Sequence, residues 1–296
     1  MYPSEFEYFA PQTVAEAIAL LARYGDDAKV LAGGQSLVPM MKLRIASPRY
    51  LIDINRIEGL SDLRRDGDRL VIGALCRHAD VGASALVREV LPIMTDAAGL
   101  TADIQVRNRG TVAGSIAHAD PAGDWPAVLA ALDTDVTIAA TSGVRTVPLS
   151  AFIVDGYTTQ LEPGEIVTGL SVGIPPAHAG GAYVKFEKRA GDFAVASVAV
   201  QIALDGTTLR SVAISLGAVG PAAIRATAAE QVLQGREASE SLLMDGERLV
   251  REAAQPFADT RGSVEYKRHL AGVLFRRAFA GALDRANGRE ISTIHM

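Results

Sequence analysis

Cysteine is nearly absent from this chain of 296 residues, in which Cys76 is the only one. A single thiol excludes an internal disulfide and also a four-thiolate zinc or iron–sulfur site built by this chain alone. Excess positive charge is absent too: the formal net charge is -5, so we expect no nucleic-acid partner. No apolar run reaches the ~18 residues of a transmembrane segment. The N-terminal residues MYPSEFEYFAPQT lack the features of a secretory signal, and we expect a cytoplasmic protein.

Common catalytic and metal-binding motifs are also missing. The 5 histidines are dispersed without an HExxH pattern, so no metal site is expected. Ser115, His118 and Asp120 are close in sequence, but a nucleophile, a base and an orienting acid must converge in space, which a short loop seldom allows. We therefore expect no catalytic residue in this chain, and we interpret Asp53 and Asp155 as structural caps.

Two glycine-rich stretches carry the clearest functional signal. Residues 109–125, RGTVAGSIAHADPAGDW, have a pattern typical of neither a packed helix nor a strand, so we expect an exposed loop that contacts a ligand or a plain surface loop. Residues 29–39, KVLAGGQSLVP, predict a strand, a glycine turn and a helix start. Such a turn leaves backbone N–H groups free to bind an anion, usually phosphate. The pattern matches neither GxGxxG nor GxxxxGK[ST], which argues against Rossmann and P-loop folds.

The first part of the chain predicts a small βα unit followed by a mixed α+β unit. Thr13 is a predicted helix N-cap with Glu16 at the third helical position, and Asp66-Gly67 predicts a hairpin. Further strands are predicted over residues 29–31, 50–55, 135–140, 145–147 and 164–174, and helices over residues 87–98 and 126–132.

The last part of the chain predicts a separate domain. Residues 175–181, PPAHAGG, are typical of a linker. Three antiparallel strands are predicted over residues 181–188, 194–204 and 208–219, and helices over residues 226–234, 241–254 and 264–287. The predicted fold class is α+β. Its domains are residues 1–57, residues 58–176 and residues 177–296, the last a three-stranded antiparallel sheet covered by helices.

Together the glycine stretches resemble a known family. AGGQSL at residues 32–37 and TVAGSIAHADPAGD at residues 111–124 resemble the two flavin-binding signatures of the medium subunit of molybdenum hydroxylases, of the aerobic carbon monoxide dehydrogenase type. The resemblance extends through FxYxxPxTxxEA, MKLRIASPRYLIDINRI and KFEKRAGDFAVASVAV. More distantly, the chain is similar to the flavin domain of xanthine dehydrogenase. The resemblance implies a two-part FAD-binding fold of the p-cresol methylhydroxylase (PCMH) type, formed by the first two domains.

The resemblance further implies that FAD lies between these two domains, with its pyrophosphate and ribityl chain against both stretches. The implied contacts are Ala32, Gly33, Gly34, Gln35, Ser36 and Leu37 in the first stretch, and Thr111, Val112, Ala113, Gly114 and Ser115 in the second.

Several other side chains are implied to contact FAD. Asp124 matches a carboxylate near the adenosine ribose. Lys188 matches a basic residue at the pyrimidine edge of the flavin, a place that Lys185 or Arg189 could also take. Lys29 is either a pyrophosphate contact or a solvated surface lysine.

The resemblance leaves two residues with open roles. Ala113 stands where many relatives have glycine, and alanine would be strained there if φ were positive. Phe193 is interpreted as core packing at a strand edge or, alternatively, as a residue that gates access to the flavin ring.

The resemblance also implies the function. A large molybdopterin subunit would oxidise the substrate, a small [2Fe-2S] subunit would carry the electrons, and FAD would pass them to an external acceptor, a quinone or NAD. The implied assembly is a dimer of heterotrimers in the cytoplasm, held at the inner face of the membrane through its partners. The alternatives are a free-standing PCMH-type flavin oxidase or dehydrogenase, and a non-enzymatic nucleotide-binding protein.

Overall fold

The computed structural model describes residues 2–289 and residue 291, so the outermost residues of the predicted first and third domains lie outside the described part. The N-terminal unit contains a three-stranded parallel sheet with strand order β1-β3-β2. Its elements are β1 (Glu7–Phe9), α1 (Val14–Tyr24), β2 (Ala28–Leu31), α2 (Leu37–Lys42) and β3 (Tyr50–Asp53). The predicted cap of α1 is confirmed, because Thr13 Oγ1 accepts a hydrogen bond from the Glu16 amide at 3.2 Å. Strand β1 was not predicted, since three residues are too few to show an alternating pattern.

The middle unit contains a five-stranded antiparallel sheet with strand order β4-β5-β10-β6-β7. The strands are β4 (Leu63–Asp66), β5 (Arg69–Gly73), β6 (Thr134–Ala140), β7 (Gly143–Pro148), β8 (Ile153–Asp155), β9 (Thr158–Thr159) and β10 (Ile166–Gly173). The helices are α3 (His78–Ala83), α4 (Ala85–Val90), α5 (Pro92–Leu100), α6 (Ile104–Arg107), α7 (Val112–His118), α8 (Asp124–Ala130) and α9 (Leu149–Phe152). The helix predicted over residues 87–98 is wrong in its extent, because Pro92 begins a new helix.

The expectation of an irregular loop over residues 109–125 is wrong. Helix α7 occupies the middle of this stretch, and its N-cap Thr111 accepts a hydrogen bond from the Gly114 amide at 3.0 Å. Small residues allow the helix to pack closely, and Ala113 is buried. Ala113 does not have a positive φ, so alanine at this position causes no backbone strain.

The third unit is a four-stranded antiparallel sheet with helices on one face. Its strands are β11 (Ala179–Phe186), β12 (Ala196–Asp205), β13 (Thr208–Gly217) and β14 (Ile224–Arg225), in this order. Its helices are α10 (Thr227–Leu233), α11 (Glu240–Ala253) and α12 (Val264–Ala286). The predicted strands and helices are present, the two-residue β14 is an addition to the three predicted strands, and β11 begins inside the predicted linker.

Two hydrophobic cores organise these units. The first joins the N-terminal and middle units, with Ile52 and Ile72 fully buried in it, and the second lies between the β11–β14 sheet and its helices. Helices α5 and α8 of the middle unit pack on the sheet of the third unit, and α12 packs along β11 and β12 of that sheet. The first two units therefore share one core and form a single frame that carries both glycine stretches. Among the described residues, no helix is long and apolar enough to span a membrane.

Candidate cofactor-binding site

The first glycine stretch is a turn at the carboxyl edge of the parallel sheet. It leaves β2 after Leu31 and enters α2 at Leu37, with Gly34 at a φ of 76°. In the part of the chain that the structure describes, the amides of residues 33–36 donate to no protein acceptor. Free amides at a helix start, at the carboxyl edge of a parallel sheet, fit the oxygens of a phosphate group.

The structure brings the two glycine stretches into direct contact. A Cβ atom added to Gly33 would lie 2.7 Å from the Cα of Gly110 and still closer to the carbonyl oxygen of Arg109. Only glycine allows the two backbones to approach this closely. The turn therefore lies directly against the start of the second stretch.

A hydrogen-bond network locks the two stretches together. Asn55 Nδ2 donates to the Ala32 carbonyl at 2.8 Å, and Asn55 Oδ1 accepts from Arg77. The same Arg77 guanidinium donates to the Arg109 carbonyl. The roles of Asn55 and Arg77 in this network were not predicted from the sequence. The only available signal was the position of Asn55 just after β3, at the same sheet edge as the glycine turn.

The network continues to the edge strand β1. Asp53 accepts hydrogen bonds from the Tyr8 hydroxyl at 2.5 Å and from the Asn55 amide at 2.8 Å. Burial opposes ionisation of Asp53, but the hydrogen bonds from Tyr8 and Asn55 outweigh it and lower the pKa of this carboxyl. Asp53 is therefore an ionised anchor of the turn, in line with its interpretation as a structural residue.

The second stretch is largely turned inward. Thr111, Val112 and Ala113 are buried, whereas Gly114 and Ser115 are partly exposed. A Cβ atom on Gly114 would lie 2.5 Å from Thr111 Oγ1, so the N-cap itself requires glycine here. Of the implied contacts in this stretch, Gly114 and Ser115 are the ones with accessible atoms.

A histidine supports the second stretch from inside. The His78 amide donates to the Gly110 carbonyl at 3.0 Å, and the imidazole stacks on Trp125 with ring centroids 5.6 Å apart. A Cβ atom on Gly110 would lie 2.7 Å from His78 Nε2. Burial, followed by the charge of Arg77, lowers the pKa of His78 to about 4, so the ring is neutral near pH 7. His78 could not be predicted as a site residue from the sequence, because no local pattern indicates its contact with Gly110.

The carboxylate of Asp124 is buried between α8 and β11. It accepts a hydrogen bond from the Tyr183 hydroxyl at 2.7 Å and lies 3.2 Å from Lys185 Nζ. Lys185 also pairs with Glu187 at 2.9 Å and donates to the Leu100 carbonyl at 2.7 Å. Burial raises the pKa of Asp124 and that of Tyr183. The contact of Asp124 with the adenosine ribose stays a prediction, and in this structure the carboxylate is bound by protein donors.

The remaining candidates lie on the surface. Lys188 donates to the Thr260 carbonyl at 2.5 Å, and Lys29 is exposed on β2. Phe193 has 52% of its surface exposed, so the interpretation as core packing is wrong. Within the described chain, no hydrogen bond joins Ser115, His118 and Asp120, which the sequence already argued against as a catalytic triad.

Comparison with known proteins identifies two family models in this chain. Residues 4–177 match the FAD binding domain in molybdopterin dehydrogenase, and residues 181–282 match the CO dehydrogenase flavoprotein C-terminal domain. Both matches agree with the resemblance stated from the two glycine stretches.

Full-length relatives are also similar. The carbon monoxide dehydrogenase medium chain of Hydrogenophaga pseudoflava is 40% identical over 96% of this chain and 99% of its own length. The 6-hydroxypseudooxynicotine dehydrogenase complex subunit alpha of Paenarthrobacter nicotinovorans is 37% identical over 100% of both chains. The solved carbon monoxide dehydrogenase from Hydrogenophaga pseudoflava that lacks the Mo-pyranopterin moiety matches with a TM-score of 0.94 and 42% identity, over 96% of this chain and 99% of that one. The chain therefore belongs to the FAD-binding medium chains of the carbon monoxide dehydrogenase and xanthine dehydrogenase family, which are flavoprotein subunits of molybdenum-containing dehydrogenases.

Proposed function

We propose that this chain is the electron-transfer subunit of a heteromeric molybdenum hydroxylase. It takes electrons from the iron–sulfur clusters of a small subunit and passes them from FAD to an external acceptor. The observation that carries this proposal is the pair of glycine stretches, which meet backbone to backbone at the carboxyl edge of the parallel sheet. A bound flavin accepts electrons singly or in pairs, which suits it to connect one-electron clusters to a two-electron acceptor.

The residues present fit the diphosphate of FAD. The free amides of Gly33, Gly34, Gln35 and Ser36 supply neutral donors for phosphate oxygens. Gly114 and Ser115, which are partly exposed in the second stretch, offer a close backbone approach and a hydroxyl. We propose that these six residues hold the pyrophosphate and ribityl chain. Ala32, Leu37 and Thr111–Ala113 shape the surrounding backbone, and Lys29 adds positive charge from the rim.

A role within a complex is favoured over a free-standing flavin oxidase. The chain spans nearly the whole length of relatives whose names identify them as a medium chain or as one subunit of a complex. We propose a large molybdopterin subunit and a small [2Fe-2S] subunit as partners, in a dimer of heterotrimers with a quinone or NAD as acceptor.

The test is the spectrum and the redox behaviour of the purified chain and of the purified complex. We expect noncovalent flavin in both samples. In the complex, the flavin is reduced when the hydroxylase substrate is added. In the isolated chain, the flavin stays oxidised in the presence of any such substrate. Substrate-dependent bleaching of flavin by the isolated chain would favour the oxidase alternative. Absence of flavin after reconstitution with FAD would rule out both.

A further inference from the structure

Arg77, the N-cap residue of helix α3, joins the two glycine stretches through its side chain. The guanidinium donates to the side-chain oxygen of Asn55 and to the carbonyl of Arg109. Asn55 in turn donates to the Ala32 carbonyl at 2.8 Å, and the Arg109 carbonyl lies against Gly33. The guanidinium is therefore bound on both sides to groups that contact the start of the first glycine stretch.

The backbone of Arg77 is fixed as well. Its amide donates to the Asp80 carboxylate at 2.9 Å within the first turn of helix α3. The same residue forms an isolated antiparallel bridge with Thr111, the N-cap of helix α7. Because both helices begin at this bridge, the fold itself sets the position from which the Arg77 side chain extends.

The charge of Arg77 has no direct counter-ion. In the part of the chain that the structure describes, the guanidinium donates to neutral oxygens and pairs with no carboxylate. The side chain is half-buried, and a cation that is removed from water without a counter-ion is unfavourable. Burial, followed by the charge of Arg109, lowers the pKa of Arg77, and the opposing effects of the Asp80 and Asp53 carboxylates do not reverse this shift.

The glycine turn beside Arg77 offers donors that carry no charge. The amides of residues 33–36 donate to no acceptor among the described residues, and they are neutral dipoles. Lys29, the basic residue of this stretch, is exposed, so water and salt screen its charge. A half-buried guanidinium acts on an anion through a medium of lower dielectric constant and is therefore the stronger counter-charge.

We propose that Arg77 is the counter-charge of the FAD diphosphate, held beside the glycine turn by Asn55 and by the Arg109 carbonyl. The amides of the turn give the direct hydrogen bonds, and Arg77 stabilises the bound anion by its charge. The inference rests on the proposed function, in which the turn of residues 32–37 holds the pyrophosphate. It assigns to this site a residue that lies in neither glycine stretch.

The size of the effect follows from Coulomb attraction at a half-buried site. At an effective dielectric constant of about 20, a positive charge about 10 Å from a negative one changes a binding constant about tenfold. Salt weakens this attraction, because the Debye length falls from about 30 Å at about 0.01 M salt to about 3 Å at about 1 M. The contribution of Arg77 to FAD affinity is therefore expected to be larger at low salt.

The test compares the FAD dissociation constants of the parent, Arg77→Gln, Arg77→Lys and the control Arg64→Gln, each as the full-length apoprotein. Arg64 pairs with Asp66 on the edge strand β4, so its replacement removes one exposed positive charge from the same unit. Fluorescence titrations with FAD are carried out at about 0.01 M and about 1 M potassium chloride. Circular dichroism and urea denaturation first establish that each variant is folded.

We expect Arg77→Gln to weaken FAD binding about tenfold at low salt and about threefold or less at high salt. Arg77→Lys should stay within about threefold of the parent, and Arg64→Gln should not differ from it. Equal losses in the Gln and Lys variants, or a loss that salt does not change, would show a role in hydrogen bonding alone and overturn the inference. Equal affinity of Arg77→Gln and the parent would also overturn it. A parent chain that binds no FAD would instead overturn the proposed function.

A second measurement varies the charge at this position within one folded variant. Arg77→Cys is labelled either with the cationic aminoethyl methanethiosulfonate or with the neutral ethyl methanethiosulfonate, and mass spectrometry checks that one label is present. Burial raises the pKa of the neighbouring Cys76 thiol to about 12, so this thiol stays unlabelled. The cationic adduct is expected to bind FAD about tenfold more tightly than the neutral one at low salt. Equal affinities of the two adducts would contradict a role for charge at this position.

Discussion

Arg285 of helix α12 and Asp96 of helix α5 form a bidentate ion pair across strand β11, with N–O distances of 2.6 and 2.9 Å. Both side chains are almost fully buried, at 10% and 1% exposure. Arg285 donates in addition to the Gly181 carbonyl at 2.6 Å, and Asp96 accepts from the Tyr183 amide at 3.3 Å. The pair therefore joins the third domain to the frame that carries both glycine stretches.

Replacement of Asp96 by asparagine is expected to destabilise the protein strongly. The substitution leaves the Arg285 charge buried without a counter-ion, which costs about 3–5 kcal/mol in the free energy of unfolding. The matched control is Glu252→Gln, which breaks an exposed pair with Arg248 and should cost less than about 1 kcal/mol. Urea denaturation of both variants measures the difference, and similar costs would show that the interdomain pair contributes little.

Glycine at position 33 is expected to be required for tight FAD binding. In Gly33→Ala the new Cβ would collide with the backbone of Arg109 and Gly110, so the two stretches must separate. We expect at least about a tenfold weaker affinity for FAD, which corresponds to ~1.4 kcal/mol. Fluorescence titration of the apoprotein with FAD measures it.

The control for this prediction is Gly99→Ala. Gly99 lies in α5, no atom lies within 4 Å of an added Cβ atom, and alanine is the better helix former. This variant should bind FAD like the parent and be slightly more stable. If Gly33→Ala bound FAD as tightly as Gly99→Ala does, the placement of the first stretch at the pyrophosphate would be wrong.

The two glycine stretches show how far sequence reasoning reaches. The turn at residues 32–37 was predicted because a strand, glycines and an apolar helix start follow each other locally. Helix α7 was missed because its seven residues are mostly small and show no clear apolar face, and its stability comes from Thr111 and from burial of Ile116. Local pattern therefore singled out this segment as a candidate for ligand binding but did not predict its conformation.

Long-range contacts set the parts of the site that sequence reasoning missed. Arg77 is far from both Asn55 and Arg109 along the chain, and only the folded sheet brings the three together. The same holds for Asp124, which the resemblance assigned to the ribose and which the fold places against Lys185. The sequence spacing of these residues does not indicate that they are in contact. The contacts of Arg77 and Asp124 could therefore be found only in the three-dimensional structure.

Protonation of His78 is expected to destabilise the fold at acid pH. The pKa of this imidazole falls from an ordinary value of 6.5 to about 4 in the folded protein. Between these values the unfolded chain binds a proton that the folded protein does not, so the free energy of unfolding decreases as pH falls from about 6.5 to about 4. When complete, the loss is about 3 kcal/mol.

The variant His78→Gln isolates this contribution. Glutamine does not titrate, so the free energy of unfolding should fall less steeply between pH 6.5 and pH 4.5 than in the parent, although its value at pH 7 is lower because the stacking on Trp125 is lost. Urea denaturation at several pH values gives the free energy of unfolding of both proteins as a function of pH. Subtracting one curve from the other cancels the contribution of the carboxylates, which both proteins share. Parallel curves would show that His78 does not titrate with the predicted shift.

Two neighbouring lysines of the third domain are expected to differ in their contribution to the free energy of unfolding. Lys185 is buried in contact with Asp124 and Glu187, so Lys185→Met leaves two carboxylates without their cation and should lower the free energy of unfolding by about 3–5 kcal/mol. Lys188 is exposed, and Lys188→Met should cost less than about 1 kcal/mol.

The same pair tests which lysine lies at the pyrimidine edge of the flavin. If Lys188 lies there, its positive charge stabilises the anionic reduced flavin, and Lys188→Met lowers the two-electron reduction potential. A loss of ~1 kcal/mol corresponds to ~20 mV, which spectroelectrochemical titration of the FAD-loaded chain resolves. The matched surface control is Arg248→Gln, with no shift expected. An unchanged potential in a fully FAD-loaded Lys188→Met variant would show that Lys188 does not lie at the pyrimidine edge of the flavin. Arg189 would then be the remaining exposed basic candidate, because the Lys185 charge is paired with Asp124 and Glu187.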